Sequence, residues 1–66
     1  SDLPEEEPVD LTDLSTAWSD KIKECSSIDE LKEVYGNAYK ALSKDKNAVE
    51  IISKAKDLRK AALSGS

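Results

Sequence analysis

Residues 18–31 read Trp18-Ser-Asp-Lys-Ile-Lys-Glu-Cys25-Ser-Ser-Ile-Asp-Glu-Leu31 and hold the only tryptophan and the only cysteine of the chain. Two readings compete. Trp18 and Cys25 belong either to a chemical site or to a packed core interrupted by a helix boundary. The second half of the stretch favours the boundary. Ser27-Ile-Asp-Glu30 is a capping box, in which the serine hydroxyl accepts from the amide three residues on and the glutamate reaches back to the start of the turn. A helix therefore starts at Ser27, and another ends just before it.

Upstream, Leu11, Leu14, Trp18, Ile22 and Cys25 recur at spacings of three and four, one apolar stripe along a helix. Thr12 or Asp13 is its expected N-cap. Cys25 continues this stripe at the C-terminal end, where the helix dipole does not favour a thiolate, so it reads as a small core hydrophobe and Trp18 as the central aromatic of the core. Downstream of Ser27, Ile28, Leu31, Tyr35, Ala38 and Leu42 share a face. Gly36 inside this helix reads as a close helix–helix approach. A third helix is expected from Lys46 or Asn47, opened by Asn47-Ala-Val-Glu50. Its inner face is Ala48, Ile51, Ile52, Ala55, Leu58 and Ala62, and Gly65 stands as the glycine after its end. No alternating β-branched run competes with these helices. Short links make sequential helices antiparallel, so the fold class is all-α, a small three-helix bundle over residues 11–64.

Residues 1–10 differ in kind. Two prolines and five acids (Asp2, Glu5, Glu6, Glu7, Asp10) read as a disordered acidic arm or linker. They carry −5 of a net charge of −4, which leaves +1 on the other 56 residues. The chain is long enough for one small domain, whose net stability is about 3–5 kcal/mol. Its lack of methionine reads as a processed chain or an excised domain. No signal peptide or membrane-spanning run is visible, a single cysteine forms no internal disulfide, and an intracellular setting is expected.

Chemistry is poorly provided for. Without histidine there is no Cys–His pair and no Cys/His zinc set. With glycine only at 36 and 65 there is no phosphate-cradling loop. The carboxylate pairs Asp29/Glu33 and Glu30/Glu33 read as a solvated helix surface. The expectation is a non-enzyme with no cofactor and no metal. Function then falls to surface residues that the core does not need. Lys46, Val49, Ser53, Lys56 and Lys60 form a stripe away from the expected inner face of the third helix. With Lys44, Lys54 and Arg59 against Asp45, Glu50 and Asp57, the segment 44–66 balances at +3. That stripe suits phosphates or an acidic peptide. Val34 and Tyr39 flank the core face of the second helix as an apolar edge for a partner. The same residues also read as an ordinary solvated face and a bundle edge, as a weak, salt-sensitive surface for single-stranded DNA, or as contacts between copies in an oligomer.

Across residues 14–63, the segments "LSTAWSDKIKEC", "SSIDELKEVYGNAYKAL" and "IISKAKDLRKAAL" resemble the small C-terminal helical modules of phage recombination proteins. These are the single-strand annealing proteins of the RecT, Erf and lambda Red-beta kind. The resemblance rests on helix caps and apolar spacing. It implies a module appended to an annealing domain, in the host-cell cytoplasm, that recruits a companion nuclease or a single-stranded DNA-binding protein.

Overall fold

The computed structural model describes residues 10–65. The expected acidic arm, apart from Asp10, lies outside the described residues. Three helices follow one another: α1 (Thr12–Lys23), α2 (Ile28–Leu42) and α3 (Lys46–Gly65). Two hydrogen bonds set their directions. The Leu11 amide donates to Asp45 Oδ2 at 2.9 Å, and Arg59 Nε donates to the Cys25 carbonyl at 2.8 Å. Both ends of α1 are thus tied to α3 with the same 34-residue offset, so α1 and α3 run parallel and α2 runs back between them. The bundle is up-down-up, as short links require.

Caps explain the boundaries. At α2 the Glu30 amide donates to Ser27 Oγ at 3.1 Å, and Glu30 Oε1 accepts from the Ser26 amide at 2.8 Å. The box is present, closed on Ser26 rather than Ser27. At α1 neither Thr12 nor Asp13 caps. Leu11 occupies the N-cap position without a side-chain bond, and Asp10 Oδ1 accepts from both the Thr12 amide and hydroxyl. At α3 the work expected of Asn47 falls to Asp45, whose Oδ1 accepts from the Asn47 and Ala48 amides at 3.0 and 3.3 Å. Aspartate suits that position because it meets orphan amides at the positive end of the dipole.

Ile22, Leu31, Leu42 and Ile52 are the largest fully buried side chains, with Cys25, Ala38, Ala48 and Ala55 around them. Several sequence expectations shift here. On α1 the buried positions are Ser15, Ser19 and Ile22, and Leu14 is left 43% exposed. Two serines face inward because small side chains let the parallel α3 approach. Ser15 avoids a desolvation cost by donating to the Thr12 carbonyl at 2.6 Å. Trp18 is half-buried at the edge, with Lys21 Nζ 4.7 Å from its ring centroid, rather than central. Cys25 lies just past α1, buried in the link.

On α3 the inner face is turned towards Val49 and Leu63, which pack on the core. Ile51 and Leu58, expected inside, are 37% and 71% exposed, and Ala62 is exposed too. α3 must touch α1 and α2 at once, and in the rotation it takes Ala48, Ile52 and Ala55 meet the core while the Asp45 and Arg59 bonds form. Gly36 makes no close approach: a Cβ there meets no atom within 4 Å. Gly65 does not end α3 in a left-handed turn but stays helical.

Candidate functional site

The capping box at Ser27 starts α2, and its 3.6-residue period then carries Ile28, Lys32, Tyr35 and Tyr39 along one flank. α3, running antiparallel beside it, brings Lys56 and Lys60 to the same seam. The result is a cleft of about 220 Å³ whose floor is Ile28, Leu31 and Tyr35 and whose rim is Lys32, Lys56 and Lys60. Three cations and no acid line it. Lys56 Nζ stands 5.1 Å from the Tyr35 ring centroid, a cation–π contact, and also 3.0 Å from Asp57 Oδ1 on its own helix. Tyr39 extends the aromatic surface: its ring is 6.2 Å from that of Tyr35, tilted by 56°.

Of the residues singled out from sequence, Lys56, Lys60 and Tyr39 therefore share one neighbourhood. Lys46 does not join them. It is the first residue of α3, ten residues or about 15 Å along the axis from Lys56. Val49 is half-buried against the core rather than displayed. Val34 also packs on the core, and five residues place it about 140° round the helix from Tyr39, so the two do not form one edge. Lys32 and Tyr35 were missed. Their signal was positional: Lys32 is one turn after Ile28 and one turn before Tyr35, but only the rotation of α3 shows which flank of α2 faces lysines.

A second hollow lies on the other flank of α3. It is a groove of about 340 Å³ against α1, with Ser19 and Ala55 among its lining. The Ser19 hydroxyl, on a residue only 5% exposed, has no hydrogen-bond partner.

Cys25 is a free, buried thiol. Burial pushes its thiol pKa up, the Glu30 carboxylate adds to this, Arg59 partly offsets it and Glu24 raises it further. A thiol held protonated is a poor nucleophile. At the start of α1, the hydroxyl and amide of Thr12 hold the Asp10 carboxyl below its usual range. Among the described residues, no group of three His, Cys, Asp or Glu side chains is placed to hold a metal, and no helix is long and apolar enough to cross a membrane.

No family model, no curated protein and no solved structure matches this chain.

Proposed function

We propose that this chain is a non-enzymatic protein-interaction domain and that the α2–α3 cleft takes an acidic segment of a partner protein. One observation carries the reading: Lys32, Lys56 and Lys60 ring an apolar floor of Ile28, Leu31 and Tyr35 with no acid among them. Such a cleft accepts an apolar side chain in its floor and carboxylates on its rim, with the charges serving chiefly to steer and orient. The sequence resemblance supplies the setting, a phage-type DNA recombination or replication protein that recruits a nuclease or a single-stranded DNA-binding protein in the cytoplasm.

A second reading uses the same side chains. Paired tyrosines beside lysines also suit stacked bases and phosphates, so a weak single-stranded DNA site is the alternative.

Amide NMR on the labelled chain separates them. An acidic peptide bearing one large apolar residue is added in one series and a short single-stranded oligonucleotide in another. The protein reading expects the peptide to shift Lys32, Tyr35, Lys56 and Lys60 and the oligonucleotide to leave them unmoved. Joint reversal of Lys56→Glu and Lys60→Glu is expected to weaken the peptide by about tenfold or more with helicity unchanged. Oligonucleotide shifts that fade with salt while the peptide is silent would transfer the cleft to DNA.

A further inference from the structure

We infer that the chain's own acidic segment, residues 2–9, docks in the α2–α3 cleft and holds it against acidic partners. This rests on the reading of the cleft as a site for an acidic peptide and adds its regulation. Chemistry, position and length agree. Asp2 is followed by Leu3-Pro-Glu5-Glu-Glu7-Pro-Val9, so the segment brings four acids, no lysine or arginine, and the apolar side chains of Leu3 and Val9. The cleft is complementary in both respects: Ile28, Leu31 and Tyr35 form an apolar floor, and Lys32, Lys56 and Lys60 form a rim without an acid.

Position follows from Asp45. This residue lies in the link between α2 and α3, and its Oδ2 accepts from the Leu11 amide at 2.9 Å. The acidic segment therefore meets the described fold at one end of the same seam that the cleft occupies. From that end Lys46, Val49, Ser53, Lys56 and Lys60 follow one another along α3 at intervals of three and four, a single flank leading to the cleft. Lys56 and Lys60 stand roughly 16 and 22 Å along the α3 axis from Asp45. An extended chain covers about 3.3 Å per residue, so Glu7, Glu5 and Leu3 reach roughly 13, 20 and 26 Å from Leu11. The acids then fall level with Lys56, and Leu3 reaches the floor near Lys60. Pro4 and Pro8 favour extended backbone at the residues before them, which this span requires. A tether this short presents the segment at about millimolar effective concentration, enough for weak contacts to compete with a partner.

The test uses the full labelled chain and two full-length variants. One carries Glu5→Gln, Glu6→Gln and Glu7→Gln together, and the other carries Leu3→Ser. Without any peptide, both variants are expected to move the amides of Lys32, Tyr35, Lys56 and Lys60 relative to the parent, independently of protein concentration and with the circular dichroism spectrum unchanged. A synthetic peptide with one leucine and four glutamates is expected to bind the triple variant about threefold or more tighter than the parent, and the Leu3→Ser variant about twofold tighter. Leu3→Ser leaves the charge untouched, so its gain does not come from weaker repulsion at a distance. Cleft amides and peptide affinity unmoved by either variant would overturn the inference and leave the cleft reading standing. A gain from the triple variant alone, with the cleft amides unmoved, would reduce the effect to long-range repulsion and overturn the docking. Differences that vanish on dilution would give the cleft to the acidic segment of a second copy. A peptide that shifts neither the parent nor the variants would overturn the cleft reading itself, and the competition with it.

Discussion

Ser19 shows how much one hydroxyl matters in a bundle this small. Its oxygen is buried without a partner, whereas the Ser15 hydroxyl, one turn earlier, donates to the Thr12 carbonyl. A buried hydroxyl that stays unpaired costs about 1–3 kcal/mol. Ser19→Ala is therefore expected to raise stability by roughly 1 kcal/mol in urea denaturation, and a loss of that size would show that the hydroxyl is satisfied in solution. Cys25 is the second case. Its raised thiol pKa means that the folded chain keeps a proton the unfolded chain gives up. That contribution is fully present below the unfolded thiol's pKa and is lost as the pH rises through the folded one. In the folded chain near neutral pH, alkylation by iodoacetamide is expected to be slow and to accelerate with urea in step with unfolding. Rapid labelling without urea would contradict the burial.

At the scale of the element, α3 depends on a residue outside it. Asp45 caps its first amides through one carboxylate oxygen and holds the Leu11 amide through the other. Asp45→Ala removes both and is expected to cost about 1–2 kcal/mol, while Asp45→Asn is expected to recover part of the loss because its carbonyl oxygen still accepts. Equal effects of the two substitutions would count against the cap. α2 carries a defect of the opposite kind. Gly36 sits within the helix with open space where a side chain would go and without positive φ. Gly36→Ala is expected to add about 1 kcal/mol to the unfolding free energy, chiefly by restricting the unfolded chain. A destabilised variant would mean that something packs against this position in solution.

For the molecule as a whole, the consequential feature is the rotation of α3. It directs Lys56 and Lys60 to α2, where they complete a cleft around Tyr35, and directs Ile51 and Leu58 away from the core on the α1 side. Both hollows follow from a single helix that presents three faces. Because Lys60 is exposed and Lys56 half-buried on the rim, reversing both is expected to leave the melting temperature within a few degrees of the parent, since charges near the surface contribute little to stability. A large drop would mean that the Lys56–Tyr35 contact is structural rather than part of a docking surface.

The sequence by itself determined three helices, the cap at Ser27, and the inward positions of Ile22, Cys25, Leu31, Leu42 and Ile52. These follow from local hydrogen bonding and from a period that one strand of text displays. It also pointed to Lys56, Lys60 and Tyr39. Tertiary structure alone decided that serines rather than Leu14 face inward on α1, that Val34 and Val49 belong to the packing, that Lys32 and Tyr35 join the cleft, and that Ile51 and Leu58 stay outside. The physical reason is that a helix with apolar residues on more than half its circumference has several rotations of similar merit. Which one is taken depends on contacts distant in sequence, here the pairs Leu11–Asp45 and Cys25–Arg59.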